Sequence, residues 1–213
     1  MSKGFSMMDQ GHYDEAISYF AELAASDPHY HVKMALASAY AGRAGVKIEQ
    51  IYSFVVVKNI SSNYLRLTGL AIDKQTSELM NTLARYSEQW NRIPDATTNA
   101  RRDLQSALKA LEGTKEPGAR LYSATLRVVL LKSSVVEGVK SWKIKTTQKV
   151  CTDDLRPYFD WGLRIVEGLL FLAEDLRGAF PEREQEYQDI HSRLSQIKKD
   201  AEALPWPREN LCF

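Results

Sequence analysis

The segment from Gly11 to Pro28 constrains this chain more than any other. Ala16, Phe20 and Leu23 follow one another at spacings of four and three and share one helix face, which Ile17 and Ala24 widen. Asp14 and Glu15 fall in the first turn, where negative charge suits the unpaired amides. Pro28 stops the helix and holds Asp27 out of helical geometry. A helix patterned this way reads as the second half of a helix-turn-helix unit built to stack on a neighbour. Stacked helices more often hold partners than perform chemistry.

A further helix is predicted from about Tyr30 to Ala44. Ala35, Leu36, Ala39 and Tyr40 form its buried side, while Ala37 and Ala41 are small enough to admit another backbone. Gly45 supplies a turn. Residues 47–60 then carry Ile48, Ile51, Tyr52, Val55 and Val56 in a helical pattern. The β-branched run Phe54 to Val57 would also suit a strand, but no partner strand is evident, so a helix is expected.

Gly11, Tyr13, Ala16, Phe20 and Pro28 resemble the second helix and closing proline of a tetratricopeptide repeat, with Leu23 where a small residue is more usual. Leu36, Ala37, Tyr40 and Ala44 resemble the opening helix of the next repeat, with alanine at 37 and 44 where glycine is common. In such repeats a small residue at a crossing point admits the aromatic ring of the facing helix. Residues 1–10 are expected to be too few for a full first helix. Beyond Gly45 a regular period is lost.

The rest of the chain reads as less regular helix. Residues 61–75 look like a packed connection, and 76–90 carries Leu79, Leu83, Tyr86 and Trp90 on one face. Pro94 precedes a helix near 97–111 that Gly113 closes. A further helix is expected over about 119–132, with Leu121, Ala124, Val128 and Leu131 buried. A long one follows over about 153–177, with Leu155, Phe159, Leu163, Val166, Leu169, Leu170, Ala173 and Leu176 buried. Gly162 and Gly168 weaken it by about 1 kcal/mol each relative to alanine, a cost that predicts a close helix crossing. The last helix, 182–203, places Tyr187, Ile190, Leu194, Ile197, Ala201 and Leu204 in one narrow stripe, as a capping helix would. The expected fold is therefore all-α: TPR-like helical hairpins over 1–60, then an irregular bundle over 61–213 with a C-terminal cap, in a single domain. A boundary near 113–118 is the alternative.

Composition narrows the partners. The charge of +1, from 28 basic and 27 acidic side chains, gives no field that argues for nucleic acid. No apolar run approaches the roughly 20 residues of a membrane helix; segment 163–173 is the most hydrophobic, but Arg164 and Glu167 make a buried helix the better reading. No apolar targeting stretch follows Met1 to Phe5, which fits a cytoplasmic protein or a mature exported domain without its leader or lipid anchor. Cys151 and Cys212 are too few for a disulfide framework. One bridge would suit an oxidising compartment, but a free, exposed thiol at Cys212 is the expectation for so terminal a position.

Chemistry-bearing motifs are scarce. Gly42-Arg43-Ala44-Gly45 lacks the lysine and hydroxyl of a phosphate loop, and no Gly-x-Ser-x-Gly elbow occurs. His29 and His31 flank Tyr30 but would need another ligand to hold a metal. His12 looks like a turn residue, and Asp189 lies two positions before His191, poor geometry for a dyad. Asp153 and Asp154 are explained by a helix start, where Thr152 would cap. Neither an enzyme nor a cofactor is expected.

Two features point to binding. Residues 132–149 hold Lys132, Lys140, Lys143, Lys145 and Lys149 against the single acid Glu137, with Trp142 among them. Ser133, Ser134, Gly138 and Ser141 weaken any regular helix there. Trp142, Lys143 and Lys145 suit an anionic small ligand, an acidic partner or a phospholipid surface. Tyrosines crowd the first third of the chain, and Tyr19 and Tyr30 are the freest to face a partner, with Lys33 and Arg43 adding charge. The leading expectation is a non-enzymatic scaffold that binds a protein or peptide. The layout also resembles, loosely, exported helical-repeat proteins that work beside the binding proteins of tripartite organic-acid transporters; that resemblance implies the periphery of a bacterial envelope. A small-molecule-binding protein or transporter accessory component with a pocket between helices is the alternative.

Overall fold

A computed structural model describes residues 1–46, 91, 93–141, 151–205 and 212. The described residues are all-α, in seven α-helices. These are α1 (Ser2–Asp9), α2 (Tyr13–Ser26), α3 (Tyr30–Arg43), α4 (Thr98–Ala110), α5 (Pro117–Ser141), α6 (Thr152–Ala179) and α7 (Glu184–Glu202). The helices expected over 47–60 and 76–90, and the connection 61–75, lie outside the described residues. None of the described helices is long and apolar enough to cross a membrane.

Each helix pairs with its neighbours in chain order, and α3 lies between α2 and α4. Its alanines explain how. Ala35 and Ala39 sit in a core with Ala16, Ile17 and Phe20 of α2. Ala37 and Ala41, half a turn round, sit in a second core with Ala100, Leu104 and Ala107 of α4. A helix sandwiched this way needs small side chains on both faces, and alternation of alanine with larger residues provides them. The second core continues across the turn at 111–116 to Leu126 and Val129 of α5.

Two glycines set the spacing at the N-terminal end. A methyl group on Gly4 would overlap the ring of Phe20, and one on Gly42 would overlap the ring of Tyr13. Residues Ser2–Asp9 thus form a helix packed on α2 but short, about two turns in place of a full first helix. Arg43 fastens the far side by bonding Asp14 of α2 at 2.5 Å and Asp103 of α4 at 2.6 Å.

Local signals account for the helix ends. The Thr97 hydroxyl accepts the Ala100 amide at 3.2 Å, and Pro117 opens α5 where a missing amide costs nothing. Gly113, at φ 77°, makes the turn between α4 and α5. Cys151 rather than Thr152 is the N-cap of α6, and its amide donates to the Asp154 carboxylate at 3.1 Å.

The expected end of α5 near 132 is corrected: the helix runs on to Ser141. Its small residues pack rather than interrupt. The Ser133 hydroxyl accepts the Ala96 amide at 2.9 Å and donates back to the Val129 carbonyl at 2.9 Å, so it competes little with the helix. Lys132, expected on a basic surface segment, is buried; it donates to the Ile93 carbonyl and pairs with Asp95 at 3.1 Å.

Helices α6 and α7 form a hairpin through a one-turn 3₁₀ helix, Pro181–Arg183. Lys198 reaches Glu167 at 2.6 Å, and Arg177 donates to Gln188. Burial along this hairpin is shallower than the apolar pattern predicts. Of the α6 positions expected inside, only Ala173 is buried; Leu155 is exposed and the others are half-buried. In α7 only Tyr187 of the stripe is buried, while Ile197 and Leu204 stand exposed. α6 packs on both α5 and α7, and α7 packs mainly on α6, so these helices leave part of each surface uncovered among the described residues.

The free-thiol expectation is also corrected. Cys151 and Cys212 form a disulfide, with their α-carbons 4.0 Å apart in a single antiparallel bridge.

Candidate functional site

The residues singled out in the first third of the chain are spread out and already engaged. The Tyr19 ring packs against Phe20 at 5.4 Å between centroids, and its hydroxyl accepts the N-terminal ammonium at 3.2 Å. Tyr30 lies against His29 and His31, with centroids at 4.9 and 3.8 Å. The His29 ring nitrogen accepts the His31 amide at 3.4 Å, which gives these imidazoles a place at the start of α3. Lys33 donates to the Glu112 carbonyl at 3.2 Å. Arg43 stands thirteen residues beyond Tyr30, about 20 Å along the helix. Its bonds to Asp103 and then Asp14 raise its pKa further above an already high range. Trp142, Lys143 and Lys145 lie outside the described residues. Among the described residues no group of three His, Cys, Asp or Glu side chains is arranged to hold a metal.

What the structure does bring together lies between α4, α5 and α6. A cleft of about 670 Å³ opens there, within the roughly 300–1,000 Å³ typical of ligand sites. Its floor is α5, where Ser134, Gly138 and Ser141 recur at helical spacing and leave a shallow row. Aromatic residues of α6 occupy that row. The Trp161 indole lies directly over Gly138, where any β-carbon would overlap the ring, and its N–H donates to the Ser134 carbonyl at 2.9 Å. One turn earlier the Tyr158 hydroxyl donates to the Ser141 carbonyl at 3.3 Å. Both rings are fixed by main-chain acceptors, so the wall they form is rigid.

The opposite wall is α4, with Arg101 and Gln105. Arg101 bonds Glu137 and reaches the Ala96 carbonyl at 3.4 Å. At the other mouth Asp154 is held by the Cys151 amide, which ties the cleft to the disulfide. Arg164 stands at the opposite end, exposed, with no carboxylate paired to it among the described residues.

Comparison with known protein families, curated proteins and solved structures finds no match. The site is therefore read from its own geometry.

A second hollow, of about 360 Å³, lies between the same three helices, further along the same face of α5 towards its start. Three of its charges pair with one another. Asp175, almost wholly buried, takes Arg120 at 2.8 Å and Arg127 at 2.5 Å, and Arg127 also covers the Phe171 ring at 4.8 Å. That arrangement clamps α5 to α6, whereas in the first cleft Arg164 and Gln105 have no partner among the described residues and stand beside an aromatic wall.

The sequence reading missed Trp161, Tyr158, Arg164 and Gln105. The signal was present in the small residues Ser134, Gly138 and Ser141, read as weak points of a helix. Their spacing also predicts a groove on one helix face, and Tyr158 and Trp161, three apart, are the rings that fill it.

Proposed function

We propose that the protein is a non-enzymatic helical scaffold that receives an extended segment of a partner protein in the cleft between α4, α5 and α6. The observation that carries this reading is the fixed aromatic wall of Tyr158 and Trp161, open along one side and ending at Arg164, which has no ion-pair partner among the described residues. From Asp154 to Arg164 the wall runs about 15 Å along α6, room for about four or five residues of extended chain. Among the described residues the two carboxylates in the cleft are both engaged, Glu137 by Arg101 and Asp154 by the Cys151 amide, and no histidine or thiol lines it. Such a site holds a ligand better than it moves a proton.

Two further observations support parts of the wider reading. The nesting of Phe20 on Gly4 and of Tyr13 on Gly42 supports a TPR-like arrangement of α1 to α3. The disulfide supports an oxidising compartment, such as the periphery of a bacterial envelope. The cleft volume also suits a small ligand, the second reading.

Panning a phage-displayed library of random heptapeptides against the full, oxidised chain tests the proposal. Gln105→Trp serves as the blocked control, because Gln105 is exposed and a larger ring there fills the mouth of the cleft. Enriched peptides that lose at least tenfold in affinity to Gln105→Trp support the scaffold. Peptides that bind both proteins equally, or no enrichment, overturn it.

A further inference from the structure

The cleft described above has ends of opposite character, and this has a consequence for what it selects. At one end Arg164, Gln105 and Leu130 place an exposed guanidinium and a primary amide beside an aliphatic surface. Gln105 and Arg164 have no hydrogen-bond or ion-pair partner among the described residues. In the middle the Trp161 indole offers an apolar face, and Arg101, the cation there among the described residues, is already neutralised by Glu137. At the far end Asp154, which accepts the Cys151 amide but pairs with no cation among the described residues, contributes a negative charge. Arg164 stands ten positions beyond Asp154, about 15 Å of helix, well beyond a Debye length of about 8 Å at physiological salt. The two charges therefore act on a ligand separately.

Resting on the scaffold reading, we infer that the cleft selects an acidic peptide segment: a carboxylate meets Arg164, and an apolar side chain next to it in the sequence lies on Trp161. The guanidinium presents several N–H donors in a fork that matches a carboxylate, and Gln105 adds an amide donor from the facing helix. The indole, locked by its bond to Ser134, offers its face without an entropy cost on binding. An Asp or Glu followed by an aromatic or branched aliphatic residue satisfies both contacts within one extended step. A basic residue further along, in either direction that the chain permits, falls near Asp154 and fixes the orientation. The carboxylate at Arg164 is the anchor, since that cation has no ion-pair partner among the described residues.

Charge reversal tests the inference separately from the scaffold reading. The same heptapeptide library is panned against the full, oxidised wild-type chain, Arg164→Glu and Gln105→Trp, and enriched peptides are resynthesised for titration at low and high salt. Wild type is expected to enrich Asp or Glu beside an apolar residue. Those peptides should bind Arg164→Glu about tenfold more weakly at low salt, the effect of losing one partly exposed pair and gaining a repulsion. Arg164→Glu should itself enrich Lys or Arg at the same position. Arg164 is exposed on its helix, so circular dichroism of both variants should match wild type. Peptides lost on Gln105→Trp but bound equally by Arg164→Glu, with no acidic preference, overturn the inference while the scaffold reading stands. Peptides insensitive to both changes, or an absence of enrichment, overturn both.

Discussion

Two glycines in neighbouring helices should respond to the same substitution with opposite signs. Gly162 of α6 has open space where a side chain would point, with nothing within 4 Å. Alanine there gains only helix propensity, at most about 1 kcal/mol of stability. Gly138 of α5 gains the same term but faces the Trp161 indole, whose ring atoms occupy the place of the new methyl. A fused ring held by its N–H bond to the Ser134 carbonyl cannot swing aside as the tip of a lysine would. The indole has to shift, at an overpacking cost of about 1–3 kcal/mol, and its hydrogen bond to Ser134 is lost at about another 1 kcal/mol. Net destabilisation is about 1–3 kcal/mol. With a urea dependence of about 2 kcal/mol per molar, the unfolding midpoint of Gly138→Ala should fall by about 1 M, and that of Gly162→Ala should rise by up to about 0.5 M. The double variant Gly138→Ala/Trp161→Ala should be no less stable than Trp161→Ala alone, because the obstacle is gone. A rise in midpoint for Gly138→Ala, or shifts that add independently of Trp161, would refute the packing described for the cleft floor.

Three other outcomes follow from named contacts. Asp175→Ala removes the shared partner of Arg120 and Arg127; because both arginines keep about a quarter of their surface in water, the loss should be about 2–4 kcal/mol rather than more, and a change under about 0.5 kcal/mol in urea unfolding would contradict the clamp. The native chain should show no thiol to a thiol-reactive dye and two after reduction; a bridge spanning 61 residues stabilises by about 4 kcal/mol in the chain-entropy picture, so reduction should lower the midpoint measurably, and unchanged stability would place the restraint elsewhere. Burial raises the Tyr187 pKa, with Arg183 opposing more weakly, so the folded state favours the neutral phenol. That contribution is present in full below the ordinary value near pH 10 and is lost as pH rises through the folded value; Tyr187→Phe should flatten the alkaline decline in thermal midpoint, and an equally steep decline would argue against the burial.

Much of the N-terminal layer was legible because its signals are local. Apolar spacing and a proline defined α2, and the alanine pairs of α3 announced a helix with neighbours on both sides. The errors arise where a residue answers to a distant partner. Lys132 reads as surface charge until Asp95 and the Ile93 carbonyl are found beside it. Ser133 and Gly138 read as helix breakers, yet the first accepts an amide of another segment and the second makes room for a ring. In α6 and α7 apolar spacing correctly indicates helix, but it cannot report how many layers cover a face, so Leu155, Ile197 and Leu204 were expected too deep. Gly168 meets Leu131 across the helix crossing as its cost predicts, whereas Gly162 meets nothing. The cleft was missed for the same reason: Arg101, Arg164 and Trp161 converge only once three helices are placed.

The most direct test of the cleft as a partner surface is the indole N–H spectrum of the protein labelled with ¹⁵N and titrated with a peptide enriched by wild type. Four tryptophans give four side-chain signals, and the one lost in Trp161→Phe identifies the cleft. Binding should move that signal more than the other three and leave it unmoved when Gln105→Trp blocks the mouth. A Trp161 signal that stays in place while the peptide binds would contradict the account.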